Sequence, residues 1–310
     1  MVRDIIIDTD PGQDDAVAIL LALASPELHV LGLTCVAGNV PLAATERNAR
    51  RLRDLAGRGD LPVMAGCDRP LARAPVTAAH VHGADGLAGV DLPEPALPPD
   101  PHPAVDFLIE TVRARPARSV TLVALGPLTN VATALGRAPD LAARLAGIVL
   151  MGGGHRALGN VTPAAEFNIH ADPEAADIVL RAGADVTIVP LDVTHKALVT
   201  PARHAVLAAA CTPVARAVAG LTDPAGRESA RHGGQGVPLH DPCTIAWLLR
   251  PDLFAARLVN VMVETQSELT LGMTVMDWWD VTGRAHNAQV LHEIDAEGFF
   301  ALLADRLARS

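Results

Sequence analysis

Short apolar runs alternate with amphipathic segments along most of the chain. The apolar runs predict buried strands, and they are Ile5–Ile7, Val30–Val36, Val120–Leu125, Ile148–Met151 and Val186–Pro190. The amphipathic segments predict helices, and they are Ala16–Ala24, Leu42–Ala56, Ala104–Ala114, Leu128–Leu135 and Pro173–Ala182. Because strands and helices alternate, the pattern predicts βαβ units, and therefore an α/β fold with a mainly parallel open sheet flanked by helices.

The remaining third of the chain continues the pattern less regularly. Further helices are predicted at Pro201–Gly220, Pro242–Leu249 and Ala296–Ala308, and further strands at Leu258–Glu264, Met273–Met276 and Ala288–Ile294. The proline-rich segment Leu92–Pro103 predicts an extended surface loop, and it is too short to mark a domain boundary. We therefore expect residues 1–310 to form a single domain.

Composition narrows the classes of function. Half of the residues are hydrophobic and 19% are charged, which is typical of a globular protein. The net charge is −10 with a single lysine, Lys196, and the absence of a basic stripe argues against a nucleic-acid partner. No apolar run approaches a membrane span, and the N-terminus lacks the features of a signal peptide. The sequence thus predicts a cytoplasmic protein with no membrane partner, and the lack of tyrosine excludes phenol-based catalysis.

Polar or glycine residues follow every predicted strand of the first part of the chain. Ligands of open parallel sheets bind beyond the carboxyl ends of the strands, so these exits are expected to form the site. The residues are Asp8 and Asp10, Gly38 and Asn39, Gly126–Asn130, Gly152–Gly154, and Asp192.

The stretch IIIDTDPGQDD places four aspartates within eight residues, directly after the first strand. Asp14 and Asp15 begin a predicted helix, where acids interact well with the helix dipole, so helix capping would account for them. It does not account for Asp8 and Asp10, which end a buried strand. A hard divalent cation explains more, because the Pro-Gly turn brings Asp10 and Asp15 together, and Asp241 before the helix Pro242–Leu249 is a candidate third acid.

Two reaction classes and one binding class fit these residues. Metal-assisted hydrolysis of a neutral, hydroxyl-rich substrate would use the acids with a set of amides and histidines, namely Asn39, Asn160, Glu166, Asn168, His82 and His240. A haloacid-dehalogenase-type Mg²⁺ phosphatase would use Asp8 and Asp10, but Pro11 replaces the usual Thr or Val, and Lys196 would have to stabilise the phosphate. A non-catalytic ribonucleoside-binding protein is the third alternative, and it would not need to retain Asp10.

The motifs resemble those of the nucleoside hydrolases, the inosine–uridine-preferring N-ribohydrolases. Asp8–Asp15 is similar to the DTDPGxDD signature of that family. The other motifs follow in family order and cover nearly the whole chain: Ala37–Asn39, His82–Leu87, Leu125–Asn130, Met151–Gly153, Glu166–Asn168, His240–Pro242, Gly272–Val275 and Asn287.

The resemblance implies hydrolysis of the N-glycosidic bond of ribonucleosides with Ca²⁺ as cofactor. A metal-bound water would attack the sugar directly through an oxocarbenium-like transition state and give inversion. The implied metal ligands are Asp10, Asp15, Asp241 and the carbonyl of Leu125. Asp10 would also be the general base, His240 the general acid and Asp8 a support for its neighbours.

The resemblance also implies which residues contact the substrate and how the chain assembles. Ribose would contact Asp14, Asn39, Asn160, Glu166 and Asn168, and Met151 and Phe167 would line the pocket. His82 could contact the base or hold its glycine-rich loop. We read Trp247 as core and leave Trp278 and Trp279 open between pocket, interface and core. Members of the family are usually homodimers or homotetramers.

Base preference follows from two features near the His-Asp motif. A histidine before the metal-binding aspartate is typical of members with broad or pyrimidine-leaning specificity. Many such members carry a tyrosine on the preceding mobile helix, and the segment 226–236 has none, so His232 or Arg231 could replace it. The glycine-rich loop 233–236 is expected to act as a lid over the base.

Overall fold

Nine strands form one mixed, mainly parallel sheet in the computed structural model, which describes residues 2–88, 90–224 and 235–309. Within these residues the strand order is β10-β9-β11-β6-β5-β4-β1-β2-β3, and only β9 runs antiparallel to its neighbours β10 and β11. The strands are β1 (Arg3–Thr9), β2 (Leu28–Cys35), β3 (Val63–Ala65), β4 (Val120–Ala124), β5 (Gly147–Met151), β6 (Val186–Val189), β9 (Phe254–Val263), β10 (Thr274–Asp277) and β11 (Ala288–Ile294). A separate pair is formed by β7 (Leu198–Val199) and β8 (Val237–Pro238).

Helices cover both faces of the sheet. The longer ones are Gln13–Leu23, Leu42–Leu55, Ala104–Ala114, Thr129–Arg137, Pro173–Arg181, Pro201–Ala208, Pro213–Leu221, Pro242–Leu249 and Ala296–Leu307. The shorter ones are Ala79–His82, Leu141–Arg144, Phe167–Ala171, Leu191–Thr194 and the 3₁₀ turn Pro251–Leu253. Because strand side chains alternate between faces, Ile5 and Ile7 pack into one hydrophobic cluster and Ile6 into the other. None of the helices in the described ranges is long and apolar enough to cross a membrane.

Most of the predicted elements are confirmed, including the α/β class, the mainly parallel sheet and the loop at Leu92–Pro103. The prediction of one helix over Pro201–Gly220 is wrong, because the chain forms two helices that are separated before Pro213. Thr212 accepts a hydrogen bond from the Ala215 amide at 3.0 Å, and Pro213 lacks the amide needed to continue a preceding helix. The three-residue strand β3 was too short to be recognised from its pattern.

The strand register brings several predicted site residues to one edge of the sheet. Asp8 on β1 lies level with Thr34 on β2 and with Ala124 on β4. Since the three strands are parallel neighbours, the segments that follow them leave the sheet at the same edge. Asp10, Asn39 and Leu125 therefore converge, as the strand-exit rule predicts.

Candidate active site

Asp10, Asp15 and Asn39 form a compact hydrogen-bonded group at this edge. The Asn39 amide donates to Oδ2 of Asp10 at 2.6 Å, and the Asn39 side chain donates to Oδ2 of Asp15 at 3.1 Å. Oδ1 of Asp15 accepts from the Thr9 hydroxyl at 2.6 Å, and its Oδ2 accepts from the Gly12 amide at 3.0 Å. All the oxygens of Asp15 thus have donors, whereas Oδ1 of Asp10 is buried with no hydrogen-bond partner among the described residues.

Asp8 lies directly behind this group and is fully buried. Its Oδ1 accepts from the Thr34 hydroxyl at 2.5 Å and from the Asn130 side chain at 2.8 Å. Asn130 also accepts from the Cys67 amide at 2.8 Å, so the carboxylate is tied to three segments of the chain. Burial raises the pKa of Asp8 to about 7, although the two hydrogen bonds oppose the shift.

Asp15 also belongs to a cluster of three carboxylates with Asp14 and Asp241. Asp14, Asp15 and Asp241 each place an oxygen within 4.8 Å of the others. Burial and the charge of Asp14 raise the pKa of Asp15, and burial followed by the charges of Asp14 and Asp15 raises the pKa of Asp241 well above its ordinary range. Burial and the charge of Asp15 do the same to the pKa of Asp10. The chain therefore concentrates negative charge where solvent cannot screen it.

This arrangement fits a hard divalent cation. Oxygen ligands of Ca²⁺ lie at about 2.3–2.6 Å from the ion, so two ligands on opposite sides are about 5 Å apart. The spacing of the carboxylates of Asp14, Asp15 and Asp241 is within that limit. Oδ1 of Asp10, buried without a donor, is a further oxygen that a cation would satisfy. The predicted ligands Asp15 and Asp241 thus lie together with Asp14, which we expected to contact ribose. Asp10 is joined to Asp15 by hydrogen bonds, since its amide donates to Oδ1 of Asp15 at 3.2 Å.

Two glycines confine the Asp10 carboxylate. A Cβ on Gly38 would overlap Oδ2 of Asp10, and a Cβ on Gly126 would overlap Oδ1. Both glycines lie in the strand exits that sequence analysis singled out. Neither has a positive φ, so the requirement for glycine comes from space rather than from backbone conformation.

We expect Gly38→Ala to lower kcat/KM for the expected ribonucleoside hydrolysis by at least about a hundredfold. The added Cβ would overlap Asp10, so the carboxylate must shift, and a misplacement of about 1 Å in an active site can cost that much in rate. Gly136→Ala is the matched control, because a Cβ there meets nothing within 4 Å. Near-normal turnover in Gly38→Ala with an unchanged melting temperature would show that the position of Asp10 is not critical.

Asn168 links the ends of β4 and β5. Its side-chain amide donates to the Leu125 carbonyl at 2.6 Å and to the Met151 carbonyl at 3.2 Å. Leu125 and Met151 therefore lie beside Asn168. All three residues were predicted to belong to one site. A carbonyl oxygen has two lone pairs, so this bond leaves Leu125 one lone pair for another partner.

Glu166 is buried and serves as the N-cap of the helix Phe167–Ala171. It accepts from the Asn168 amide at 2.8 Å, the Gly153 amide at 3.0 Å and the Ile169 amide at 3.2 Å. Burial raises the pKa of Glu166 from 4.5 to about 7 despite these bonds. The folded protein therefore holds a proton on Glu166 between these two pH values, which the unfolded chain releases.

The pKa of Glu166 makes its contribution to stability dependent on pH. Ionising the buried carboxylate in the folded state destabilises the protein. This destabilisation is absent below pH 4.5, grows as the pH rises, and is complete above about pH 7. Replacing Glu166 by glutamine removes this destabilisation, while the loss of cap geometry costs the same at both pH values. We therefore expect the unfolding free energy of Glu166→Gln, relative to wild type, to improve between pH 5 and pH 8 by at most about 3 kcal/mol.

Chemical denaturation of the calcium-free protein at pH 5 and pH 8 measures this difference. Asp68→Asn is the control, because Asp68 is exposed and paired only with the neighbouring Arg69. A relative stability of Glu166→Gln that is the same at both pH values, or worse at pH 8, would contradict the raised pKa.

His240 precedes Asp241 and is held by the short helix Leu191–Thr194. The Thr194 hydroxyl lies 2.8 Å from Nδ1 of His240, and the His195 ring meets the His240 ring edge-on at 5.7 Å. Thr194 was not identified from the sequence, because nothing in a lone threonine at the end of a short helix indicates such a contact. The bond at Nδ1 fixes the ring orientation of His240.

Three predicted pocket residues make local contacts. Nδ1 of His82 lies 3.2 Å from the Gln13 amide and accepts its proton, so His82 holds its loop against the first helix. Asn160 is exposed, and its side-chain oxygen accepts from the Phe167 amide at 2.9 Å. Phe167 packs with Ala78 and Ala171 in a small hydrophobic cluster. Their contacts with a substrate stay predictions.

Other predicted positions lie outside the acidic group. Asp192, expected at the site as a strand exit, instead accepts the amides of His155, Arg156 and Ala157 and stabilises that loop. Trp247 packs against Phe254 beside the core, as predicted. His232, Arg231 and the first part of the glycine-rich loop lie outside the described residues.

Comparisons with known proteins find relatives that match nearly the whole chain. Residues 5–301 match the sequence model of the inosine-uridine preferring nucleoside hydrolases. The chain is 49% identical to a pyrimidine-specific ribonucleoside hydrolase RihA from a Shewanella species, over 99% of this chain and 97% of the relative. It superimposes on a plant nucleoside hydrolase with a TM-score of 0.92 and 35% identity over 99% of each chain. A purine-preferring ribonucleoside hydrolase from Gardnerella vaginalis gives a TM-score of 0.91 and 32% identity over 99% and 98% of the chains.

Proposed function

Because the chain belongs to the inosine-uridine preferring nucleoside hydrolases, we propose that it hydrolyses pyrimidine ribonucleosides in preference to purine ones and depends on Ca²⁺. The observation that carries the proposal is the cluster of the partly buried Asp14 with the buried Asp15 and Asp241, beside the buried Asp10, at the carboxyl edge of the sheet. Clustered carboxylates repel one another and destabilise the fold, and such clusters are typical of functional sites that bind a cation or a reacting sugar.

Asp10, Asp15, Asp241 and the Leu125 carbonyl would hold Ca²⁺, with Asp14 close enough to contribute. Bound Ca²⁺ would offset the repulsion between the carboxylates and acidify a water at the site. Calcium suits these ligands better than Mg²⁺, because it accepts several carboxylates in a flexible geometry.

Asp10 is the proposed general base. Its Oδ2 is held by the Asn39 amide, and the carboxylate packs closely against Gly38 and Gly126. Oδ1 is then oriented and free to take a proton from the attacking water. Thr34 and Asn130 hold Asp8 behind it, so Asp8 supports the base rather than reacting.

The groups around the sugar would stabilise the transition state. Cleavage of an N-glycosidic bond develops positive charge on the ribose, and carboxylates and amide oxygens nearby lower its energy. Asp14, Asn39, Asn160, Glu166 and Asn168 are proposed as ribose contacts, with Met151 and Phe167 lining the pocket. Several of these polar groups form hydrogen bonds to other groups of the protein. Ribose hydroxyls would replace some of those bonds when the substrate binds.

His240 is the proposed acid that protonates the leaving base, with Thr194 orienting its ring. We expect His240→Ala to lower kcat on uridine by about a hundredfold or more. Turnover of p-nitrophenyl riboside should fall much less, because that leaving group needs no proton. Equal losses on the two substrates would argue against His240 as the acid.

A substrate panel tests the proposed function. Reducing-sugar release from uridine, cytidine, inosine and adenosine, measured as kcat/KM with Ca²⁺ present, should be fastest for the pyrimidines. This expectation rests on His240 and on the likeness to pyrimidine-specific relatives. Faster turnover of inosine and adenosine would overturn the preference. Nucleoside binding without ribose release would favour the non-catalytic alternative.

A further inference from the structure

A cavity distinct from the acidic group lies at the same edge of the sheet, beside β11 and the helix Leu191–Thr194. Its volume is about 580 Å³, within the range of small-molecule sites. Leu191, Val290 and Leu291 lie at its base, but they are almost completely buried in the core. None of the residues proposed for the hydrolytic reaction lines it, although His195 on its wall touches the ring of His240.

Aromatic and imidazole rings form one wall. His155 stacks on Trp278 with ring centroids 5.2 Å apart and planes at 19°, and His292 meets the same indole edge-on at 5.2 Å. The guanidinium of Arg257 lies over Trp278 at 5.2 Å from the ring centre. Trp278, left open between pocket, interface and core, is therefore a wall of this cavity, whereas Trp279 is 73% exposed.

The rim carries an excess of cationic groups. Lys196 is paired with Glu293 at 2.6 Å. Both carboxylate oxygens of Asp192 accept backbone amides of the loop 155–157. Arg156 and Arg257 remain, and within the described part of the chain neither forms an ion pair with a carboxylate. In a protein of net charge −10, two such arginines at one rim mark a local site for an anion.

The chemistry of the wall and the rim together selects a ligand class. The stacked rings of His155 and Trp278 on the wall are partly exposed, and such a wall favours a flat ring that can stack on it. Two guanidinium groups can share a dianion, and arginine matches the oxygens of a phosphate bidentately. A metal is not indicated, because among the described residues only the group of Asp14, Asp15 and Asp241 has metal-site spacing.

We propose that this cavity binds a small phosphomonoester with a flat ring, with the ring against the wall of His155 and Trp278 and the phosphate between Arg156 and Arg257. The site is separate from the acidic group, so the inference goes beyond the proposed function and does not depend on it. The loop 152–157 lies between the two, since Gly153 donates to Glu166 and His155 lines the cavity.

Phenyl phosphate is the probe, because it has the flat ring and the phosphate but no ribose for the other site. Isothermal titration of the calcium-loaded protein should show tighter binding of phenyl phosphate than of inorganic phosphate or phenol. The double variant Arg156→Ala/Arg257→Ala should bind it at least about tenfold more weakly. Arg216→Ala/Arg284→Ala is the matched control, because both arginines are exposed and lie away from the cavity, and its affinity should equal that of wild type.

Two results would overturn the proposal: phenyl phosphate binding no tighter than inorganic phosphate, or unchanged binding in the double variant. If loss of the Arg257 contact with Trp278 destabilises the protein, Arg156→Ala alone serves, and its affinity must still fall. Titration with uridine 5′-monophosphate tests whether the ligand is a nucleotide or an aryl phosphate. Whichever of uridine 5′-monophosphate and phenyl phosphate binds more tightly, and loses that affinity in Arg156→Ala, represents the ligand class.

Discussion

Replacing Asp10 by asparagine is expected to lower kcat on uridine by about a thousandfold or more while the fold stays intact. Asparagine keeps the shape and the bond from the Asn39 amide, but it cannot take a proton from water. General-base catalysis typically contributes about 10²–10⁴-fold, and loss of a calcium ligand adds to the effect. Steady-state ribose release with saturating Ca²⁺ measures the change.

The same variant should not unfold more easily in calcium-free buffer. Asp10 is fully buried, and burial followed by the charge of Asp15 raises its pKa well above the ordinary range. Removing that charge relieves repulsion, so the melting temperature of the calcium-free variant should equal or exceed that of wild type. Asp68→Asn, at an exposed ion pair, is the control for loss of a charge elsewhere. Turnover of Asp10→Asn within tenfold of wild type would refute Asp10 as the base.

Calcium should raise the melting temperature of the chelator-treated protein by several degrees and restore its turnover. An ion that binds only the folded state at 100 times its dissociation constant stabilises by about 2.7 kcal/mol. The stabilisation should be larger at pH 8 than at pH 5, because Asp15 and Asp241 have raised pKa values and must lose protons to bind a cation.

Thermal melts at both pH values, with Ca²⁺, Mg²⁺ or chelator, measure this effect. Asp241→Asn should lose most of the calcium shift, and Asp68→Asn should keep it. Full turnover in excess chelator, or an equal calcium shift in Asp241→Asn, would contradict the assignment of the acidic group as a calcium site.

The sequence predicted the acidic group because its members lie close together in the chain. Asp8, Asp10, Asp14 and Asp15 occupy one stretch, and short-range geometry placed them at the end of β1. Asp241 was proposed as a third acid from its place before a helix, and the family resemblance supported it. The structure brings Asp15 and Asp241 together with Asp14. Our assignment of Asp14 to ribose alone missed this proximity. Asp14 and Asp15 both lie in the first turn of the helix Gln13–Leu23, and both can turn toward the same ion.

Contacts between distant segments could not be read from the sequence. Thr34 bonds Asp8 because β2 lies beside β1 in register, and Thr194 bonds His240 across 46 positions of the chain. Strand order follows from packing of the whole sheet, which periodicity does not encode. The break before Pro213 is different, because the Thr-Pro pair is a helix-start signal that sequence analysis overlooked.

The central claim is that Asp10 activates a water that attacks the ribose directly. Proton NMR of the first ribose anomer released from uridine, recorded before mutarotation, tests it most directly. Direct attack inverts the anomeric centre, so the predicted first product is α-ribose. First release of β-ribose would indicate a covalent intermediate on a carboxylate, and would contradict the role of Asp10 as a base.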